Sequence, residues 1–299
     1  MLRRQSKNPQ AMNHALLQFV TQHPQLLVLT GAGCSLASGI PTYRDKAGNW
    51  RRTTPIQHQD FVNQLASRQR YWARSFAGWP RFADALPNAA HQALVKLEQL
   101  GHVSQLVTQN IDGLHQRAGQ QRVLELHGSL AEVICLKCAS LSSRFELQAR
   151  LARLNPQLSE RGEPVPDGDA DVPDSLVANV KVPDCERCGG ILKPQVVFFG
   201  GSVSPIVAAQ VSESVARSDG VLVVGSSLQV FSGYRIVRRA HELGKAIACI
   251  NPGATRADPL YTLKSSGDCG EELAALSLAL KADDRKPAPG KSLQQSSAV

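Results

Sequence analysis

Four short apolar runs predict the strands of a buried sheet. Each has five or six residues and ends in small or polar ones, as is typical of parallel strands covered on both faces. The runs are residues 26–30 (LLVLT), 103–108 (VSQLVT), 220–225 (GVLVVG) and 246–250 (AIACI). Apolar residues with the helical period occur in residues 12–23, 88–100, 205–217, 233–243 and 271–280. This alternation predicts an α/β fold with a doubly wound parallel sheet.

The segments that follow the strands share a second pattern. Their sequences are TGAGCS, TQNIDG, GSS and NPG, all small or polar. Ligands of open parallel sheets bind at the carboxyl ends of the strands. We therefore expect the four segments to meet in one binding cleft.

A change of composition predicts the domain boundaries. Residues 131–194 break the alternation with Pro, Gly, Asp and four cysteines, and we interpret them as a small inserted module. Residues 1–130 and 195–282 are then one large domain. Residues 283–299 are mostly polar and predict a disordered tail.

The composition excludes several classes of protein. Of 299 residues 42% are hydrophobic and 19% charged, which is too apolar for a disordered chain. No apolar run approaches the ~20 residues that cross a bilayer, and MLRRQSKNPQ lacks the apolar core of a secretory signal. We expect a cytoplasmic protein without a membrane partner. A mitochondrial presequence is the alternative because the first acidic residue is Asp45, but the helix and strand that begin near residues 12 and 26 leave little chain to remove.

The net charge of +8 is concentrated between residues 43 and 81, where eight basic residues accompany two acidic ones. An anionic ligand or an acidic substrate explains this excess, and so does a solvated basic face. No helix-turn-helix, zinc-finger or stacking-aromatic motif accompanies the charge, so we expect no nucleic-acid partner.

Two Cys-x-x-Cys pairs, CLKC and CERC, are spaced to offer four thiolates to one tetrahedral Zn²⁺. The four residues are Cys135, Cys138, Cys185 and Cys188. Two disulfides are disfavoured because no secretory signal is present, and a redox pair is disfavoured because there are two matched pairs. Four sulfurs leave no open coordination position, so this metal is expected to brace the module rather than to catalyse.

A glycine-rich turn directly follows the first strand. Gly31, Ala32 and Gly33 would let backbone N–H groups approach a phosphate. The dehydrogenase fingerprint is not met because Leu36 occupies the place of its third glycine, and an ordinary tight turn is the alternative. Further along, the planar guanidinium of Arg44 could bind a pyrophosphate or a carboxylate.

Seven motifs make the chain similar to the sirtuin family, the NAD-dependent protein lysine deacylases. They are GAGCSLASGIPTYRD, TQNIDGLH, ELHGS, CLKC…CERC, KPQVVFFG, VVGSSLQV and INPG, in family order from about Leu26 to Cys269. The resemblance implies a Rossmann-like large domain and a small zinc domain. It also implies that NAD, the co-substrate, and an acyl-lysine protein or peptide meet in the cleft between the two domains.

The resemblance implies roles for individual residues. His127 matches the general base, and Asn110 would position the ribose or a water. His115 matches a position without a direct chemical role and is expected to be structural. The residues expected to bind NAD are Gly31, Ala32, Gly33, Thr42, Tyr43, Arg44, Gln109, Asn110, Ile111, Asp112, Gly225, Ser226, Ser227, Asn251, Pro252, Gly253 and Cys269. A strand formed by Val196, Val197, Phe198, Phe199 and Gly200 is expected to pair with the substrate backbone.

The acyl preference rests on one pair of residues. Residues 56–82 and the long module insertion are similar to the class II branch of the family, which includes members with weak deacetylase activity and preferences for other acyl groups. A sirtuin subgroup that accepts acidic acyl groups uses a Tyr-x-x-Arg pair in its acyl pocket. Tyr71 and Arg74 lie on one helix face and are our hypothesis for such a pair. The alternative is a packed Tyr71 and a surface Arg74. In addition, Gly201 stands where many members have an acid.

Two further functions are open to the same cleft. Mono-ADP-ribosyl transfer to protein would use NAD as well, and a non-catalytic NAD or ADP-ribose sensor would need only binding. The combination of Asn110, Asp112 and His127 favours catalysis over the sensor. A dehydrogenase is disfavoured by the missing fingerprint.

Overall fold

The computed structural model describes residues 13–42, 55–158 and 169–283, and every structural statement below refers to these. Six parallel strands form one sheet in the order β3-β2-β1-β7-β8-β9. They are β1 Leu26–Thr30, β2 Val103–Thr108, β3 Val123–Glu125, β7 Gly220–Val224, β8 Ala246–Ile250 and β9 Leu263–Ser265. The predicted parallel α/β sheet is confirmed. Its three-residue edge strands β3 and β9 were not predicted because they are too short to show a period.

Helices cover both faces of this sheet, and others lie beside the second sheet described below. They are α1 His14–Gln22, α2 His58–Asn63, α3 Leu65–Asp84, α4 Ala89–Gln99, α5 Leu114–Ala118, α6 Arg144–Leu154, α7 Asp174–Val177, α8 Pro205–Arg217, α9 Phe231–Glu242 and α10 Cys269–Asp283, with short 3₁₀ helices at Ala32–Ser38 and Asp258–Leu260. The helix predicted at 205–217 has the expected bounds. The one predicted at 233–243 begins two residues earlier, and the one predicted at 271–280 extends to Asp283.

The core explains why β1 lies at the centre. All five of its side chains are buried, and they alternate between two apolar clusters. Val28 packs with α1, α4 and α10 on one face, and Leu29 packs with α8 and α9 on the other. Because β1 has β2 on one side and β7 on the other, the strand order reverses there, which is where such sheets bind ligands.

A second, antiparallel sheet carries the cysteines. Its strands are β4 Gly128–Cys135, β5 Leu141–Ser143 and β6 Leu192–Val196, in the order β5-β4-β6. Phe61 of α2 and Trp72 of α3 pack into the core of this sheet with Val133. The division into domains stays a prediction, and these contacts argue for adding residues 58–84 to the smaller unit. Of the predicted tail, residues 284–299 lie outside the described residues.

Candidate active site

The carboxyl ends of the strands line one cleft of about 780 Å³. All four predicted segments contribute to its wall. The predicted residues that line it are Gly31, Ala32, Gly33, Thr42, Gln109, Asn110, Ile111, Asp112, His127, Val197, Phe198, Phe199, Gly200, Gly225, Ser226, Ser227, Asn251, Pro252, Gly253 and Cys269. Tyr43 and Arg44 lie outside the described residues. Val196, Tyr71 and Arg74 are described but do not line the cleft.

Glycines let the segments that follow β1 and β7 approach each other closely. The Gly33 N–H donates to the Gly225 carbonyl at 2.8 Å. A Cβ on Gly33 would stand 2.7 Å from that oxygen, and one on Gly31 would stand 2.7 Å from Cβ of Ser226. Only glycine fits both places, so bare backbone forms this wall of the cleft.

Asn110 and Asp112 are fixed by a serine that the sequence did not single out. The Asn110 amide donates to the Gly31 carbonyl at 3.1 Å and to Ser35 Oγ at 3.0 Å. Ser35 in turn donates to Asp112 Oδ2 at 2.7 Å, while Oδ1 accepts the Leu114 N–H. The two side chains thus keep one arrangement before any ligand arrives.

His127 is held at both ring nitrogens. Its Nδ1 lies 2.9 Å from the Gln109 carbonyl, which only accepts, so Nδ1 carries the proton. The lone pair of Nε2 then accepts from Ser232 Oγ at 2.7 Å. Burial lowers the pKa of His127, and the bond to Gln109 opposes that shift only in part. The imidazole is therefore neutral near pH 7, as a general base requires.

His115 lies beneath the cleft in a structural role. It is 1% exposed, and its Nε2 lies 2.9 Å from Thr30 Oγ1. Burial and the neighbouring His91 lower its pKa to about 3, so it stays neutral. These contacts agree with the role expected from its sequence.

His91, His115 and Cys34 present ligand atoms within 4.8 Å of one another, which raises the question of a second metal site. His91 Nδ1 accepts the Asn88 N–H at the start of α4, so Nε2 of the neutral ring keeps its proton. A ring in this tautomer has no lone pair to offer a metal. His91 therefore caps the start of α4 and is not in the state needed to serve as a ligand.

Only the first residue of the predicted substrate strand lies in a regular strand of this structure. β6 ends at Val196, and of the next four residues only Phe199 forms a bridge, to Gln57. The segment is held at Val197, whose N–H donates to the His127 carbonyl at 2.8 Å. The family resemblance implied a strand that pairs with the substrate; in the described residues the bridge to Gln57 is the pairing that this segment makes, so its pairing with a substrate stays a prediction.

A buried lysine stiffens the same segment. Lys193 is 6% exposed, and its ammonium donates to the carbonyls of Pro194 and Val196. It also lies 4.4 Å from the ring centre of Phe198, a cleft residue. Burial lowers its pKa to about 8.

Tyr71 and Arg74 are not brought to the cleft wall. Tyr71 is buried with its ring centre 5.1 Å from that of Phe198. Arg74 Nε lies 3.1 Å from Asp169 Oδ2, and its NH2 nitrogen lies 3.5 Å from Asp171 Oδ1. The charge of Arg74 is thus matched by carboxylates of the chain itself.

The four predicted metal ligands form one cluster. The sulfurs of Cys135 and Cys188 are 3.5 Å apart, and those of Cys138 and Cys185 are 3.8 Å apart. All four lie within 4.8 Å of one another. A Cβ on Gly190 would stand 2.8 Å from the sulfur of Cys135, so this glycine makes room for the cluster. These distances fit tetrahedral coordination of one Zn²⁺.

None of the described helices has the length and apolarity needed to cross a membrane.

Comparison with known proteins gives consistent matches. The model of the Sir2 family matches residues 31–232. NAD-dependent protein deacetylase 2 of Bradyrhizobium diazoefficiens is 48% identical over 270 residues, which is 90% of this chain and 99% of that one. The mitochondrial NAD-dependent protein lipoamidase sirtuin-4 of Bos taurus is 50% identical over 262 residues, 86% of this chain and 83% of that one.

Solved structures match the fold as well. A mutant Sir2 homologue in complex with ADP-ribose aligns with a TM-score of 0.73 and 32% identity, over 92% of this chain and all of that one. A complex of Sir2 with a p53 peptide and NAD⁺ aligns with a TM-score of 0.70 and 27% identity, over 90% of this chain and 97% of that one.

Proposed function

The chain belongs to the Sir2 family, and from that premise we propose how its cleft works. The protein is an NAD-dependent protein deacylase. We propose that it removes acyl groups from lysine side chains, transfers them to ADP-ribose and releases nicotinamide. The observation that carries this proposal is the neutral, doubly held His127 in the same cleft as the Asn110–Asp112 pair.

The residues present fit NAD. A cleft of about 780 Å³ is within the usual size for such ligands, and bare backbone at Gly31 and Gly33 allows close approach of phosphates. Asn251, Pro252 and Gly253, with Ser226 and Ser227, would face the adenosine. When bound, NAD supplies an electrophilic ribose carbon with nicotinamide as the leaving group.

The chain's own residues orient and move protons. Asp112 would accept a hydrogen bond from the carboxamide, and Asn110 would position the ribose or a water. His127 would take a hydroxyl proton at Nε2, where Ser232 is bound in the structure. Because Nδ1 is pinned to Gln109, the ring cannot present the wrong nitrogen.

The acyl-lysine peptide would bind along residues 197–200. An extended chain that pairs with this segment would continue the small sheet beyond the end of β6 at Val196. Val197 donates to the His127 carbonyl, so the substrate segment and the base are joined through the backbone.

We propose one structural Zn²⁺ at the four cysteines, with no part in the chemistry, and a reducing cytoplasmic location in which the cysteines form no disulfide. For the acyl group we propose an uncharged one. Arg74 already faces Asp169 and Asp171, so an acidic acyl group would have to displace a carboxylate of the chain.

Mass spectrometry tests the function. The protein would be incubated with NAD and lysine peptides that carry acetyl, lipoyl, long-chain or glutaryl groups, and both the free lysine and O-acyl-ADP-ribose would be followed. We expect both products, their loss in His127→Ala and their retention in the control His241→Ala, which changes an exposed histidine of α9.

Other outcomes would favour the alternatives. Ribosylated protein that still forms in His127→Ala would support ADP-ribosyl transfer. Binding of NAD without turnover of any peptide would support the sensor.

A further inference from the structure

The mouth of the cleft carries exposed aromatic and basic side chains on the first turns of α9. Phe231 is 48% exposed and lines the cleft, as does the exposed Arg235 one turn later. Between them lies Ser232, whose hydroxyl is hydrogen-bonded to His127 Nε2. This surface therefore adjoins the residue that is hydrogen-bonded to His127 Nε2.

A second arginine is held over the same surface by rings. The guanidinium carbon of Arg256 lies 4.5 Å from the ring centre of Tyr234 and 5.5 Å from that of Phe231. Its backbone N–H donates to the Ser227 carbonyl at 2.9 Å, which fixes it beside the cleft wall. Arg235 and Arg256, with Phe231 and Tyr234, are called the cationic rim below.

The two arginines of the cationic rim have no acidic partner among the residues that the structure describes. Asp258, two residues from Arg256, is bound to Lys264 at 2.9 Å and to Thr255. Glu242 of α9 is bound to Arg238 and Arg239. The nearby basic residues away from the mouth are paired, whereas the two at the mouth keep an unmatched charge.

We propose that the cationic rim binds acidic side chains that flank the acyl-lysine in the substrate protein. A planar guanidinium recognises a carboxylate through two parallel hydrogen bonds, and the rings that hold Arg256 reduce the freedom lost on binding. An extended chain advances ~3.3 Å per residue, so residues next to the buried lysine remain at the mouth. The net charge of +8 would attract such segments.

This inference rests on the proposed function, because it assumes that the lysine enters the cleft. It concerns a different step, however: selection among acyl-lysine segments by their neighbours. The competing occupant of the cationic rim is a phosphate of NAD, and the experiment separates the two.

Steady-state kinetics with paired peptides tests the inference. One peptide carries acetyl-lysine among alanines, and a set carries one Asp at each position from two residues before to two residues after the lysine. We expect at least one Asp peptide to have a KM about 3- to 10-fold lower than the neutral peptide at low salt, and this advantage to shrink at 0.5 M NaCl, as exposed ion pairs require.

Arg256→Ala is the diagnostic variant, and Arg239→Ala is its matched control because that arginine already pairs with Glu242. We expect Arg256→Ala to remove most of the advantage of the acidic peptide, Arg256→Lys to keep part of it, and Arg239→Ala to keep all of it. Melting temperatures would show that the variants are folded.

Several results would overturn the inference. Equal KM values for acidic and neutral peptides would do so, and so would equal effects of the two alanine variants. A rise in the KM for NAD, with the peptide preference unchanged, would assign the cationic rim to the cofactor.

Binding separates this failure from a failure of the function. Anisotropy of fluorescent acidic and neutral peptides with ADP-ribose present needs no turnover. Turnover of the neutral peptide without acidic preference refutes the cationic rim alone, whereas acidic preference in binding without turnover refutes the deacylase alone.

Discussion

The chemistry at His127 depends on two hydrogen bonds, one to a side chain and one to the backbone. The Ser232 hydroxyl donates to the Nε2 lone pair, which a substrate hydroxyl must also reach. The backbone carbonyl of Gln109 accepts from Nδ1 and so fixes the proton there. The histidine could be predicted from its motif. Ser232 and Ser35 could not, because a lone serine at a helix start or after a glycine turn has no distinguishing spacing, and only the folded chain brings each to its partner.

Ser232→Ala should change the pH profile of deacylation. Since burial lowers the pKa of His127, we expect kcat/KM of the unaltered protein to fall only below the ordinary pKa of about 6.5. The serine hydroxyl donates to the neutral ring, so its loss should move this acid limb to higher pH, by up to about one unit. Ser232→Thr, which keeps a hydroxyl, should leave the limb in place. A limb that does not move in Ser232→Ala would rule out this role.

His115 should make the fold sensitive to acid. Its pKa is about 3 in the folded protein against 6.5 as the ordinary value, so the unfolded chain binds more protons between these values. The free energy of unfolding is therefore highest above pH 6.5. It falls as the pH falls towards 3, and at pH 5 this one group has lowered it by about 2 kcal/mol. Urea unfolding at pH 5 and 7 measures it. We expect the free energies of unfolding at pH 5 and pH 7 to differ less in His115→Gln than in the unaltered protein. An unchanged difference would contradict the role of His115 in this acid sensitivity.

At the scale of elements, the long strands of the parallel sheet and the presence of a cysteine module were predictable, but the strands within that module were not. β1, β2 and β8 have the predicted bounds because apolar runs buried on both faces end at glycine or polar residues. The segment at 196–200, predicted to pair with the substrate, does not continue β6 within the described chain because β4 begins at Gly128, opposite Val196. Beyond that point Lys193 and the His127 carbonyl hold the segment instead.

Gly128→Ala should damage stability and activity together. Gly128 has φ of 79°, and an added Cβ would stand 2.0 Å from the Gln195 carbonyl. The positive φ alone costs about 1–2 kcal/mol, and the overlap must push β4 and β6 apart beside His127. We expect a lower melting temperature and a reduced kcat. Gly189→Ala is the control, since it also has positive φ but nothing within 4 Å; an equal loss of kcat there would refute the local explanation.

Asp169→Asn should widen the acyl range. The change removes the buried carboxylate 3.1 Å from Arg74 Nε and leaves Asp171 as its partner at the protein surface. We expect the ratio of glutaryl to acetyl turnover to rise several-fold, because an acidic acyl group then competes with one carboxylate fewer. Arg74→Ala in the same background should abolish the gain. If the ratio does not change, the Tyr71–Arg74 pair lies outside the acyl site.

For the whole molecule, the metal should connect two structural units. The cysteine sheet reaches the cleft through β4 and β6, which flank His127 and Val197. The sequence predicted both the four ligands and the cleft segments. It did not predict their connection, since this depends on register and on α2 and α3 packing against the small sheet.

Loss of the metal should therefore reduce deacylation without removing all NAD binding. We expect one Zn²⁺ per chain by elemental analysis, and its loss in Cys188→Ser. Because the glycine turn and β7 belong to the parallel sheet, weakened NAD binding should persist when peptide turnover is gone. Calorimetry measures the remaining binding of NAD, and an assay with an acyl-lysine peptide measures the loss of turnover. Full activity without metal would refute the bracing role.

The contact between Gly33 and Gly225 also restricts how the sequence can evolve. A Cβ on Gly33 would stand 2.7 Å from the Gly225 carbonyl oxygen. A Cβ on Gly225 would stand 2.5 Å from the backbone nitrogen of Cys34, the neighbour of Gly33. Backbone atoms cannot be exchanged, so a change at one position has no compensating change at the other. In a gene library randomised at both codons, selection for activity should recover the glycine pair and no second solution.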